Sequence, residues 1–462
     1  GRRERLSEPL EGKMAETSSS DSISTRCQRI AELARKAPEM RITTLAHHID
    51  VEWLREAYRR TRKDGAVGID GTTAAEYATK LGDNLQDLLN RAKSGAYHAP
   101  AVRRVHIPKA SGTETRPIGI PTFEDKVLQR AVAMVLEAVY EQDFLDCSFG
   151  FRTGRSPLGA LNALRDHVMA TLGCWVVEVD IRKFFDTLDH AQLRGILNQR
   201  IGDGVLLRLI GKWLHAGVLE RGSLSFPEAG TPQGGVISPL LANIYLHTVV
   251  DLWFERTVKP CLHGTAFMVR FADDFVMGFT LEADARRVLA VLPKRFGKYG
   301  LTLHPTKTRL LPFYPPRGRA SGRGDSDAGK PGTFNFLGFT HYWDRSRRGY
   351  WVVRWQTAKD RYRRGLRALS DWFRRVRHEP LREQHRLLVL KLNGHAAYYG
   401  VTGNGRALSR FFDCAKRLWH KWLARRSQKA HASWAWFSRM LWYFPFPRPR
   451  IVHSVMPRPA KP

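Results

Sequence analysis

The chain has 462 residues and carries 75 Lys+Arg against 44 Asp+Glu, a formal charge of +31 with a pI near 10.4; such a surplus repels itself unless polyphosphate offsets it, so nucleic acid is the expected partner class. No run approaches the roughly 18 uninterrupted apolar residues that cross a bilayer, and a charged, then Ser-rich N-terminus is no secretory signal, so neither a membrane nor export is expected. Cys27, Cys147, Cys174, Cys261 and Cys414 form no Cys-x-x-Cys pair, which argues against disulfides and structural zinc and fits a reducing cytoplasm.

The length points to two or three subdomains. Gly1 is not an initiator, and the residues ahead of Met14 read as upstream sequence. Thr17 to Ser24 is Ser-rich and expected to be mobile, followed by helical patterns at Ile30 to Arg35 and Val51 to Arg62. Gly65-Ala66-Val67-Gly68-Ile69-Asp70-Gly71 is a glycine-rich loop without the Lys-Ser/Thr of a phosphate-binding P-loop, so an ATPase is rejected. Val102 to Pro108 alternates as a strand should, and after the Ser111-Gly112 turn the Arg116 segment completes a hairpin. Lys109 and Arg116 then stand on facing arms, able to hold a triphosphate through charge-assisted hydrogen bonds. Lys126 follows on a helical pattern.

Cys174 to Asp180 reads as a buried strand ending in an acid. Asp186 and Asp189 follow it and precede a helical pattern, so capping is their expected use. Phe184 and Phe185 should point opposite ways on an extended chain, the first into the core and the second toward a nucleotide sugar. Gln233-Gly234-Gly235 precedes a helical pattern from Ser238 to His247, with Ser238 as cap and Pro239 in the first turn; the paired glycines permit close approach of a ligand. Val269-Arg270-Phe271-Ala272-Asp273-Asp274-Phe275-Val276 sets two acids between two apolar strands. A tight turn at Ala272-Asp273 would place both at a hairpin tip, where oxygen donors suit a divalent metal. Adjacent carboxylates repel, so a cation should offset them. With Asp180 they would supply the carboxylates that bridge two ions in phosphoryl transfer.

Pro315 to Gly332 shifts to Pro, Gly, Arg, Ser and Asp, a linker composition, and Phe334 to Phe339 reads as a strand closing the sheet. Helical patterns follow, one with Tyr362, Leu366, Leu369, Trp372, Phe373 and Val376 on one side, another with Leu408, Phe411, Phe412, Ala415, Leu418, Trp419, Trp422 and Leu423. From His341 to Pro462 there are 28 Lys+Arg against 6 Asp+Glu, so 22 of the 31 surplus charges, and 9 of the 13 Trp, lie in this last stretch. Basic residues interleaved with aromatics can clamp backbone and stack bases. After Lys429 only His431 and His453 remain and no cysteine, so a Cys/His metal-bound endonuclease is not expected.

The strand ending at Asp180 and the Phe271-Ala272-Asp273-Asp274 box resemble the catalytic blocks of reverse transcriptases, with Phe where many relatives carry Tyr. Arg116-Pro117-Ile118-Gly119-Ile120-Pro121, Ser148-Phe149-Gly150-Phe151-Arg152, Thr231-Pro232-Gln233-Gly234-Gly235-Val236-Ile237-Ser238-Pro239-Leu240 and Phe336-Leu337-Gly338-Phe339 come in the order seen in group II intron reverse transcriptase/maturases. That resemblance implies an α+β right-hand polymerase. Its expected parts are a flexible segment (1–24), helical and hairpin fingers (25–170), an antiparallel palm (171–345, with a mobile linker at 315–332), a basic α-helical thumb or maturase domain (346–430) and a basic tail (431–462). It implies Asp180, Asp273 and Asp274 as catalytic acids, and these three with Ile181 as the metal-binding positions for two Mg²⁺ ions, with Mn²⁺ as substitute. For the dNTP it implies Lys109, Arg116, Ile181, Phe185 as a gate against a 2′-hydroxyl, Gln233 and Lys307, the last supporting the acids. For nucleic acid it implies Lys126, Arg152, Gly234, Gly235, Arg363, Arg364, Arg367 and Arg374. The implied partners are intron RNA, whose splicing is assisted, an RNA template with a DNA primer, and a DNA target. A splicing-only maturase and a reverse transcriptase serving antiphage defence or another host role stay open, as does the oligomeric state.

Overall fold

A computed structural model describes residues 11–108, 115–220, 222–226, 230, 234–316, 332–427 and 432–454, with side chains from residue 23 onward. The chain divides into two compact units, one of Gly1–Ala160, Val179–Met277 and Ala283–Arg309, the other of Leu161–Glu178, Gly278–Glu282 and Leu310–Pro462. Among the described residues no helix is long and apolar enough to cross a membrane. The linker expected over 315–332 lies almost wholly outside the described residues.

In the first unit the helix Phe123–Asp143 is buried on nearly every side, from Val127 and Leu128 through Ala131, Val132, Val135 and Val139, as its unbroken apolar run requires. Thr122 caps it, accepting from Asp125 N at 3.3 Å. The helices Glu11–Lys36 and Val51–Arg60 pack on it, and Asp50 caps the latter by accepting from Trp53 N at 2.9 Å. The first of these runs through the Ser-rich segment, and Ile23, Ile30 and Ala34 farther along it are buried.

Strands β1 (Val102–Pro108) and β2 (Thr115–Ile120) form the expected antiparallel hairpin, with Ile107 opposite Arg116. β3 is Cys174–Asp180. β4 (Val218–Glu220) adds to β1 in parallel and β5 (Ser223–Ser225) to β4 antiparallel, giving the sheet order β2-β1-β4-β5. A second sheet runs β6-β7-β3-β8, with β6 Ala266–Phe271, β7 Asp274–Phe279 and β8 Arg309–Phe313. Its strands carry near-continuous buried residues, Val176, Val177 and Val179, Met268 and Val269, and Phe275, Val276 and Met277, the pattern of a sheet covered on both faces.

The Phe334 to Phe339 stretch is not one strand. It is β9 (Phe334–Phe336), a turn with Leu337 at φ 49° and Gly338 at φ 79°, and β10 (Phe339–Arg345), which with β11 (Trp351–Thr357) forms a separate sheet ordered β11-β10-β9. The Leu-Gly pair supplies the left-handed conformations of a hairpin, a signal overlooked in the sequence. The helices Lys359–Val376, Leu381–Tyr399, Gly405–Leu423 and Trp434–Tyr443 share a core of Leu369, Trp372, Phe373, Leu388, Leu408, Phe411, Phe412, Trp419 and Phe437. The one polar demand of the buried Trp419 ring is met by Gln384, also buried, at 3.1 Å.

Candidate active site

β3 delivers Asp180 to its end and the chain is anchored there on both sides: His304 N donates to Asp180 O and Arg182 N to Thr302 O, each at 2.8 Å, with Ile181 paired to Leu303 between them. β6 and β7 are joined through Ala272 and Asp273 alone, with Ala272 at φ 55°, so the expected tight turn is present. Asp180, Asp273, Arg116, Ile181, Phe185 and Lys307 line one cavity of about 870 Å³, together with Thr115, Pro117, Lys183, Asp186 and His304. Four segments distant in sequence thus meet around two carboxylates. Lys307 Nζ donates to Asp180 Oδ2 at 3.0 Å. Burial, reinforced by the charge of Asp180, pushes the Asp273 carboxyl above its ordinary range, with Arg116 and Arg270 opposing.

Asp274 follows as the first residue of β7. It is exposed at the head of β7 and absent from the cavity lining, and among the described residues no group of three His, Cys, Asp or Glu side chains is drawn together around a metal position. Of the three acids expected from sequence, Asp180 and Asp273 line this cavity. The donors that do meet are carboxylate oxygens, one of them driven toward its protonated form by burial and by its neighbour. Such a pair fits a hard divalent cation.

Phe184 is buried and Phe185 half-buried, both line the cavity, and they sit on a helical turn, Phe184–Thr187, rather than an extended chain. Asp189 caps the helix His190–Arg200, accepting from Gln192 N at 2.8 Å. Asp186 lies within the preceding helical turn and lines the cavity instead of capping. Helix Ser238–Leu246 starts with Ile237 at the cap position and Pro239 in the first turn, so Ser238 is its first residue and not its cap. Gly234, at φ 119°, lies against Gly119 O, which an added Cβ would approach to 2.6 Å, so the close backbone approach met here is to β2. Gly235 is buried behind it. Lys109 and Gln233 lie outside the described residues.

Two expected nucleic-acid contacts are used internally. Arg152 is buried and divides its guanidinium among Glu141, Leu145 O and Ser148 O; it is a strut, correcting its assignment to nucleic acid. Lys126 Nζ donates to Ala66 O at 2.6 Å, pinning the glycine-rich loop. Arg363, Arg367 and Arg374 are exposed on helix Lys359–Val376, while Arg364 is half-buried and 3.7 Å from Asp360.

Sequence reading missed what holds the turn. Arg270 is fully buried, its Nε 2.7 Å from Asp251 Oδ1, and it also donates to Ser148 Oγ at 2.8 Å and to Asn243 Oδ1 and Ala272 O at 3.0 Å. Burial alone would raise the Asp251 carboxyl, yet Arg270 beside it holds it below the usual range. Asp251 ends a π-helical segment, His247–Asp251, a wider turn that recurs at functional sites. A charged residue inside an apolar strand was the available signal.

Residues 107–341 match the family described as Reverse transcriptase (RNA-dependent DNA polymerase). The chain belongs to this family. It is 37% identical over 241 residues to Protein YkfC of Escherichia coli (strain K12), covering 51% of this chain and 63% of that protein. It is 44% identical over 177 residues to Group II intron-encoded protein LtrA of Lactococcus lactis subsp. cremoris, covering 38% of this chain and 29% of that one. Nuclear intron maturase 4, mitochondrial, of Arabidopsis thaliana is 30% identical over 128 residues, 28% of this chain and 16% of that protein. The match thus spans less than two thirds of each of these relatives. The resemblance to group II intron reverse transcriptase/maturases, expected from the motif order, is present in these relatives as well.

Proposed function

We propose that this reverse transcriptase family member copies RNA into DNA and also binds an intron RNA, assisting its splicing. The observation that carries the reading is the meeting of Asp180 and Asp273 in one large cavity with Arg116, Phe185 and Lys307. A primer 3′-hydroxyl attacks the α-phosphate of a dNTP, and pyrophosphate departs. Arg116 holds the triphosphate by charge-assisted hydrogen bonds, Phe185 packs under the sugar and disfavours a 2′-hydroxyl, and Lys307 orients Asp180. Asp180 and Asp273 would hold divalent ions, two Mg²⁺ in our reading with Mn²⁺ as substitute, which when bound activate the attacking hydroxyl and stabilise the departing oxygen. The helical region over 346–430 acts as thumb and RNA-binding maturase domain, its exposed Arg363, Arg367 and Arg374 contacting phosphates.

The test is primer extension on an RNA template with dNTPs and Mg²⁺, alongside a filter-binding measurement of RNA affinity. Asp180→Asn and Asp273→Ala should each cut extension by at least about a thousandfold, the scale of losing a charge-stabilising group at the reacting centre, while RNA affinity stays within about twofold. Wild-type chain that binds RNA without extending a primer would instead mark a splicing-only maturase.

A further inference from the structure

The Ser148–Arg152 segment lies directly against the backbone of the acid-bearing turn. Phe149 N donates to Arg270 O at 2.8 Å, Asn243 Nδ2 donates to Gly150 O at 2.6 Å, and a Cβ added at Gly150 would come within 2.4 Å of Ala272 N. Within it Ser148 is wholly buried, Phe149 is 7% exposed and Arg152 8%, yet Phe151 is 59% exposed. Phe151 also sits at φ 55°, a left-handed conformation disfavoured for a bulky side chain, which persists only where its surroundings over-determine it. Both flanks are held: Gly150 is wedged under Ala272 before it, and Arg152 is clamped after it by Glu141, Leu145 O and Ser148 O. The outcome is a solvent-facing aromatic ring whose centroid lies 6.3 Å from that of Phe271, itself two residues before Asp273.

A single exposed apolar residue is ordinary. One forced outward by a strained backbone, paired with a second ring and fixed to the turn that carries a reacting-centre acid, is a presented surface. We infer that Phe151, together with Phe271, forms an apolar shelf for the 3′-terminal nucleoside of the primer, setting the attacking hydroxyl against Asp273. The occupant is the primer end because it alone, of the nucleic-acid elements in the reaction, must come to rest beside that acid, and every nucleoside offers a flat apolar face whatever its sequence. The inference rests on the polymerase reading above.

The full chain carrying Phe151→Gly separates a binding role from a structural one. Glycine accepts φ 55° without strain, so the thermal midpoint should hold or rise by about 1–3 °C. Affinity for a fluorescein-labelled RNA template with a recessed DNA primer should weaken roughly tenfold, with the preference for a recessed over a blunt end lost. The KM for primer–template should rise by a similar factor while the KM for dNTP stays unchanged, and Phe151→Leu should fall between. A lowered midpoint with all parameters impaired together, or unchanged primer affinity in both variants, overturns the shelf. If the wild type neither extends primers nor distinguishes recessed from blunt ends, the polymerase reading itself fails; if it does both and the variants match it, only the shelf does.

Discussion

Arg270 concentrates on one guanidinium the tasks of neutralising Asp251, binding Ser148 and Asn243, and holding the carbonyl of a left-handed Ala272. Both partners of the ion pair are 0% exposed, so the cost of desolvating them offsets much of their attraction, and the pair is better explained by geometry than by stability. Two substitutions separate these effects. Arg270→Met leaves the buried Asp251 carboxylate without its guanidinium, with His247 3.7 Å away as the remaining neighbour, and should cost about 3–5 kcal/mol in urea unfolding. Arg270→Met with Asp251→Leu removes both charges and should recover most of that loss. Extension should not recover with it, since nothing then restrains Ala272 O and the position of Asp273 drifts; losses of about a hundredfold are reasonable for a displacement near 1 Å. A double variant extending at the wild-type rate would show the network to be structural only.

At the scale of elements, the loop before helix Ser238–Leu246 is fixed from behind by another helix. Gln129, on Phe123–Asp143, accepts from Val236 N at 2.8 Å and donates to Asp125 Oδ2 at 3.1 Å, and Asp125 also bonds Tyr97 Oη. Gln129→Leu leaves the part-buried Val236 N–H and the buried Ile237 N–H without their shared acceptor, worth about 1–3 kcal/mol, and loosens the backbone ahead of that helix. It should raise the KM for dNTP several-fold while leaving that for primer–template unchanged; steady-state extension with each substrate varied in turn checks this. None of this linkage was legible in the sequence, because a buried Gln on an apolar helix has no periodic signature and its partner lies 107 residues away. The β1–β2 hairpin, the strand ending at Asp180 and the Ala272-Asp273 turn were legible, since each is written in local alternation and turn chemistry. The helical turn at Phe184–Thr187 and the hairpin at Leu337-Gly338 were misread because their conformations depend on left-handed Lys183 and Leu337, residue types that seldom mark such turns.

Across the whole molecule the two units should answer to pH with opposite signs. In the first, burial pushes the Asp125 carboxyl up to about 6 and also raises Glu137 and Asp143 on the same helix. Their native forms hold protons that the unfolded chain has released, so their contribution is most favourable below about pH 4 and is lost as pH rises toward 6; the depressed Asp251 opposes them. In the second, His341 is fully buried, stacked on Phe334 at 4.7 Å, and finds no hydrogen-bond partner for either ring nitrogen among the described residues. Burial pushes it down to about 3, and pushes His395, stacked on Phe411 at 3.7 Å, down to about 4. Unfolding releases both to bind protons near pH 6.5, so their contribution is intact above that value and is lost as pH falls through the interval. Acidification from pH 7 to 4.5 should therefore expose amides around β9, β10 and helix Leu381–Tyr399 to hydrogen exchange while helix Phe123–Asp143 keeps its protection. His341→Phe replaces the ring without a titratable group and should return on the order of 1–4 kcal/mol of local stability at pH 4.5, with little change at pH 7.5. Exchange around β10 in that variant rising at the same pH as in the wild type would remove His341 as the cause and leave His395 to account for the acid sensitivity.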